Sequence, residues 1–411
     1  MQDNPIQNSF DVSLFKAASE GRDLEVEHYV KLGANPNAAG GFGKATPLIE
    51  AAARGHLHAL RALLAHGADP SRIDGRGINA LISACNFRHT PCVKALLGAG
   101  SPLRTDAGSQ SNNALCVAAA SGNTDILNLL LPAYFAELKA NPNANFGFLD
   151  RSGRNALMLA AHTGHPQAVE LLAPHFGLEA TDQNGWTALM LAVEGMNGAE
   201  MAHECARVLL AAGANPTTRD RRGQTALHHA ARGGSIGALN SLLPLVDARA
   251  ADEQGYTPLM SAAGAGIADA VKALLPHSDA NAMTEDGKTA LALAFERHSG
   301  GDYDPSGEDL EVARVLSAAS DLTRRNEKGQ TPFEEATASE SWPLLAALAP
   351  QSTDAEIENL LISLTEPLGD AVMARVEAFF LRQALLREAS HSQGAPDAAQ
   401  PTLPLRKSLR V

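Results

Sequence analysis

Four groups of residues have the types and spacing that chemistry requires. Cys85, His89 and Cys92 place two thiols and an imidazole in one short stretch, the donor types of a zinc site. His228 and His229 are adjacent imidazoles, and His56 with His58 and His162 with His165 form closely spaced pairs. Gly40-Gly41-Phe42-Gly43-Lys44-Ala45-Thr46 has the look of a loop that cradles phosphate. Each falls short on geometry. The zinc candidates cross a helix–loop–helix junction and lack both a paired CxxC and a clear fourth ligand. Adjacent residues on a helix point about 100° apart, so His228 and His229 cannot share one ligand direction. The glycine loop lacks its first glycine at the required distance, and it falls at a turn tip. An enzyme needs a nucleophile, an acid–base pair, a metal set or a cofactor cradle held in a pocket. No catalytic residue, cofactor site or metal site is assigned, and the expectation is a protein that is not an enzyme.

The elements that must position these residues are periodic. The string Thr-Ala/Pro-Leu occurs at Thr46-Pro47-Leu48, Thr187-Ala188-Leu189, Thr225-Ala226-Leu227, Thr257-Pro258-Leu259 and Thr289-Ala290-Leu291, with Thr331-Pro332-Phe333 as a variant. Asn79-Ala80-Leu81, Asn113-Ala114-Leu115 and Asn155-Ala156-Leu157 are degenerate copies, and Leu14-Phe15-Lys16-Ala17-Ala18 is an earlier one. From Leu48 onward the third positions step by 33, 34, 42, 32, 38, 32, 32 and 42 residues. A period near 33 marks a solenoid of stacked units. Before each marker stands a turn with glycine at its tip, such as Asp150-Arg151-Ser152-Gly153 or Asp220-Arg221-Arg222-Gly223. After it comes a short alanine-rich helix, then a break such as Gly55-His56 or Gly164-His165. A second helix follows with apolar residues at helical spacing, closed by Gly67-Ala68-Asp69-Pro70 or Gly213-Ala214-Asn215-Pro216.

From Ser9 to Pro350 this pattern closely resembles the ankyrin repeat, and Thr225-Ala226-Leu227-His228-His229-Ala230-Ala231 is nearly the family string. The resemblance implies an all-α solenoid of nine to ten helix-turn-helix units with β-turn or hairpin tips. It also assigns the histidines at the breaks to the scaffold. Most copies replace the marker histidine (Ile49, Ile82, Met158, Met190, Met260), which removes a polar contact between adjacent turns. Ten units at the roughly 10 Å separation of packed helices would make a curved rod on the order of 90–100 Å long.

Composition sets limits. A formal charge of −13 disfavours nucleic acid as the main partner. No 20-residue apolar span suggests a membrane partner, and Met1-Gln2-Asp3-Asn4-Pro5 lacks the features of a signal peptide. Cys85, Cys92, Cys116 and Cys205 read as small buried fillers, so a reducing cytoplasm and a monomer are expected. Abundant alanine and scarce lysine point to a GC-rich bacterial source.

Three long steps mark insertions. Pro132–Lys139 lengthens or bends a second helix, Gly195–Met201 enters between two helices, and Ser299–Gly307 reads as a polar loop. Beyond Pro350 the period stops. Two amphipathic segments within 351–390 are expected to cap the array or to bind a partner, and 391–411 reads as a disordered tail.

The resemblance implies binding on a concave face lined by the turn tips and the exposed side of each first helix. The positions free of framework duty there include Arg151, Arg154, His162, Trp186, Arg221, Arg222, Arg232 and Tyr256. Arginine and large aromatics often dominate interface energy, and a basic concavity steers an acidic partner. The expected function is a non-catalytic scaffold gripping an acidic or mixed-charge protein segment. The alternative is a secreted bacterial effector that binds a host protein, with the tail as its translocation signal.

Overall fold

The computed structural model describes residues 5–40, 43–105, 112–140, 149–194, 198–296, 307–322 and 329–330. The described residues form consecutive pairs of antiparallel helices. The N-terminal pairs are α1 (Pro5–Ser19) with α2 (Asp23–Lys31), α3 (Pro47–Arg54) with α4 (Leu57–Ala65), and α5 (Ala80–Asn86) with α6 (Thr90–Gly98). The central pairs are α7 (Ala114–Ala120) with α8 (Thr124–Ala140), α9 (Ala156–His162) with α10 (Pro166–Leu172), and α11 (Ala188–Glu194) with α12 (Ala199–Ala211). The last are α13 (Ala226–Gly233) with α14 (Ile236–Leu242), α15 (Pro258–Ala265) with α16 (Ala268–Leu274), and α17 (Ala290–Glu296) with α18 (Gly307–Ala319). First helices pack on first helices and second on second, giving two layers that run the length of the array. The tenth unit expected around Phe333, the capping segments at 351–390 and the tail at 391–411 lie outside the described residues.

The marker string works as a helix start. Its threonine or asparagine is the N-cap: Asn79 Oδ1 accepts from Ile82 N at 2.8 Å and Asn155 Oδ1 from Met158 N at 2.9 Å, while Thr46 Oγ1 does the same for Ile49 N at 3.3 Å. This explains why Thr and Asn exchange there. The marker leucines, from Leu48 to Leu291, are all buried in one continuous core. Each is worth about 1.5–3 kcal/mol of apolar burial. The helix-break histidines join the units. His56, His89 and His165 donate from Nε2 to Ser19 O, Ala53 O and Ala120 O of the preceding unit, at 3.1, 3.0 and 3.1 Å. This accounts for two of the paired histidines as framework, as the repeat pattern implied.

The turn tips are hairpin-like. Asp74 N, Asp150 N, Asp182 N, Asp220 N and Asp252 N each donate to the carbonyl four residues on, at 2.9–3.0 Å. The pair β1 (Arg104–Thr105) and β2 (Asn112–Asn113) is the one two-residue ladder among the described residues. The tip glycine has two reasons to be glycine. Gly185 has φ +81°, and a Cβ there would lie 2.8 Å from Arg221 N of the next tip. Lys44 occupies the same place in its own unit at φ 54°, a backbone state that costs a side chain about 1–2 kcal/mol. Lys44→Gly is therefore expected to stabilise the second unit by roughly 0.5–1 kcal/mol, after allowing for the added chain entropy of glycine. Slower hydrogen exchange of the α3 amides would register this gain, and unchanged or faster exchange would refute it.

The insertions keep the register. Pro132 sits inside α8, which continues for 17 residues, and the added turns bring Tyr134 onto the ring of Phe176 at 5.7 Å. The second insertion does not lie wholly between helices: Ala199–Met201 form the first turn of the 13-residue α12, and residues 195–197 are outside the described set. The third, at 299–307, lies almost wholly outside it.

Candidate functional site

Turn tips and the first helices behind them create a face built from equivalent positions of successive units. Where an aspartate opens the turn, one carboxylate oxygen organises its own loop, and Thr284 Oγ1 does the same for Lys288 N at 3.1 Å in the last of these tips. Asp182 Oδ1 accepts from Asn184 N and Trp186 N at 2.7 and 3.0 Å, and Asp220 Oδ1 accepts from Arg222 N and Gln224 N at 2.8 and 2.9 Å. Neighbouring tips are then tied through the main chain. Gln183 N donates to Ser152 O, Arg221 N to Asn184 O, Glu253 N to Arg222 O and Glu285 N to Gln254 O, at 2.9–3.2 Å. These bonds hold the tips without using a side chain.

At Asp182 and Asp252 the second oxygen faces a side chain from the preceding unit, whereas Asp74 Oδ2 takes Arg76 from its own tip. Gln224 Nε2 donates to Asp252 Oδ2 at 2.8 Å, and Arg154 approaches Asp182 Oδ2 at 3.6 Å. At Asp220 the equivalent residue is Trp186, and His229 fills the role instead. Its Nε2 lies 3.1 Å from Asp220 Oδ2, its Nδ1 lies 2.8 Å from Glu194 Oε2, and Trp186 packs on it in a T-shaped contact at a ring separation of 4.5 Å. Arg232 completes the group with Nη2 2.9 Å from Glu194 Oε1. His229 is wholly buried.

The titration of this quartet follows from its contacts. Burial alone would lower His229, but Asp220 and Glu194 more than offset it and raise the imidazole above its usual value. Burial would raise Glu194 and Asp220, yet His229, with Arg232 at Glu194 and the turn amides at Asp220, holds both carboxyls below their usual range. When the imidazole is protonated, two anions and two cations face one another. Next to it, His228 behaves oppositely. Burial pushes it down to about 4, against the bond from Nε2 to Tyr256 O at 3.1 Å, which favours the charged ring, and Nδ1 accepts from Thr225 N at 3.1 Å.

The eight residues expected to contact a partner divide into two sets. Arg151, Arg221 and Arg222 are exposed. Arg154, His162, Trp186, Arg232 and Tyr256 are half-buried, and the first four are engaged by other units. Arg154 pairs across to Asp182, Trp186 packs on His229, Arg232 bonds to Glu194, and His162 bonds to the Leu191 backbone. Burial, then Arg154, lowers the His162 pKa. Sequence reasoning missed His229, Glu194, Asp220 and Gln224 as a network. The signal was present: His162, Glu194 and Arg232 occupy one equivalent position in three successive units, so their side chains lie side by side. Among the described residues no group of three His, Cys, Asp or Glu could hold a metal ion, and no helix is long and apolar enough to cross a membrane.

The profile for ankyrin repeats in three copies matches the chain in overlapping stretches that run together from residue 14 to residue 326. The chain belongs to the ankyrin-repeat family. A putative ankyrin repeat protein of Escherichia coli, YahD, is 28% identical over 179 residues, which cover 43% of this chain and 84% of that protein. The putative palmitoyltransferase ZDHHC13 of Danio rerio is 30% identical over 179 residues, but these are only 26% of its length. Among solved structures, the human ASB11 ankyrin repeat domain aligns with a TM-score of 0.47 at 25% identity, covering 58% of this chain and 99% of that one. The ankyrin repeat domain of Bcl-3 aligns at 0.43 and 26% identity, covering 57% and 97%. The ankyrin assignment makes protein–protein interaction the function class of the array, while the relatives share less than half of this chain and name no partner for it.

Proposed function

We propose that this ankyrin array is a non-catalytic scaffold of the cytoplasm, monomeric, that grips a segment of an acidic or mixed-charge partner protein on its concave tip face. The observation that carries this reading is the set Arg151, Arg221 and Arg222. They are exposed on tips fixed by main-chain bonds, beside the half-buried aromatics Trp186 and Tyr256. Fixed tips spare a partner the entropy of ordering a loop, and arginine beside aromatic surface is the composition of energetic anchors. In the same reading the array runs to residue 350, with 351–390 covering its end and 391–411 a tail.

Acyl transfer, the activity in the name of the zebrafish relative, would need an accessible thiolate if a cysteine carried it. The four cysteines are buried and in no disulfide, and burial pushes Cys85, Cys116 and Cys205 up to about 12. Such thiols favour packing over catalysis and suit a reducing compartment.

Combined replacement of Trp186, Arg221 and Arg222 by alanine should weaken capture of the native partner at least a hundredfold, in line with two or more anchors of about 2 kcal/mol each. Since Trp186 also covers His229, the exposed pair Arg221→Ala and Arg222→Ala is measured beside it, with circular dichroism confirming helix content. Full retention of affinity in both variants would exclude this face.

A further inference from the structure

We infer that the partner segment is bipolar, carrying acidic side chains at one end and basic side chains at the other, laid along the row of tips in a single register. This rests on the tip-face reading above and adds to it the chemistry of the occupant.

The row itself changes sign. Arg151 stands on one tip, Gln183 and Asn184 on the next, then Arg221 and Arg222 together, all exposed. On the following tip the same positions are Glu253 and Gln254, and on the one after they are Glu285 and Asp286, again exposed. The change falls between neighbours joined by the bond from Glu253 N to Arg222 O, 2.9 Å long. At these two positions of each tip the signs do not mix, and Lys288, just past the glycine of the Glu285 tip, is half-buried. Here three cations precede three anions in chain order, and among the described residues no ion pair engages any of the six. Elsewhere on the face charge is spent internally: Arg76 pairs with Asp74, Arg154 with Asp182, and Arg232 with Glu194. The six side chains therefore stand available, on a frame that main-chain bonds keep from adjusting.

A uniformly acidic segment would satisfy the arginine half and be repelled by Glu253, Glu285 and Asp286. Like charges brought together at an interface cost enough to reject a partner. Only a segment with both signs, in the matching order, meets the whole row. Its length follows from the stacking distance. Four unit steps separate the Arg151 tip from the Glu285 tip, about 40 Å at roughly 10 Å per step. An extended chain rises about 3.3 Å per residue, so the segment is about 12 residues long, with its acidic and basic groups in opposite halves.

Fluorescence anisotropy with labelled twelve-residue peptides and the purified full chain tests this. The probes are a bipolar peptide with four glutamates, four neutral polar residues and four lysines, its reversed-order counterpart, an all-glutamate-charged peptide and an uncharged one. At low salt one bipolar order is expected to bind at least tenfold more tightly than the other three. That preference should vanish both in Arg221→Glu/Arg222→Glu and in Glu253→Arg/Glu285→Arg, and the second variant should instead favour the acidic peptide. If the acidic peptide binds the parent chain best and responds to Arg221→Glu/Arg222→Glu, the tip face stands and the bipolar inference is overturned. If no peptide binds above the uncharged one, the bipolar inference fails, and the alanine variants with the native partner decide the tip face separately. If binding ignores both swaps, both readings fall. Unchanged circular dichroism and melting of the swapped variants show that the array is intact.

Discussion

Replacing His229 with leucine is expected to destabilise the central repeats by about 3 kcal/mol, the scale for removing one member of a buried charged group and stranding its partners. Leucine is the fair substitute because Leu159 and Leu191 hold the same position in the two preceding units. The loss comes from Asp220, whose side chain is 1% exposed and would keep only its turn amides, and from Glu194, left with Arg232 alone. A solenoid need not melt as one unit, so the effect is read as lost hydrogen-exchange protection in α11 and α13. Adding Asp220→Asn should recover part of the loss, since Oδ1 still organises the turn and the stranded charge is gone. If the two changes are simply additive, the imidazole and the carboxylate are not coupled and the network description fails.

Stability against pH is the second large effect, and the adjacent histidines pull it in opposite directions. In the unfolded chain both titrate near 6.5. His229 is raised by folding, so its contribution is complete below 6.5 and fades as pH climbs through its folded value. His228 is depressed to about 4, so the unfolded chain takes up the proton first and stability falls as pH drops from 6.5 to about 4. At about 1.4 kcal/mol per pH unit, that interval amounts to roughly 3 kcal/mol. Glu194 and Asp220 are depressed, and their contributions are lost lower still, as pH falls from their unfolded values of 4.5 and 3.8 through their folded ones. His228→Met, which installs the residue found at Met158, Met190 and Met260, should flatten the decline between pH 6.5 and 4. Denaturation curves across that range that superimpose on the parent would disprove the assignment.

The repeat frame was legible because its determinants are local. Asp-x-x-Gly makes a turn, Thr or Asn caps a helix, and Gly-His ends it, each within a few residues. The site was legible only in part. Arg151, Arg221 and Arg222 sit where the turn alone puts them, and they are exposed as expected. Arg154, Trp186 and Arg232 read as free surface because their partners, Asp182, His229 and Glu194, lie in other units. Nothing near them in the chain announces those contacts. In sequence His229 stands beside His228, but its partners are Glu194 and Asp220, one on the preceding first helix and one on its own unit's turn. Aligning the units in register, and reading down columns as well as along the chain, exposes such contacts.

Main-chain bonds between the tips also bear on how this protein could acquire new specificity. Positions 183, 221, 253 and 285 are held through their N–H groups, and 152, 184, 222 and 254 through their C=O groups, which every residue except proline offers. Their side chains can therefore be exchanged with little effect on the geometry of the row. Each tip acts as a separately editable letter, about 10 Å from the next. A lineage could rewrite the message one substitution at a time, while the page on which it is written stays folded.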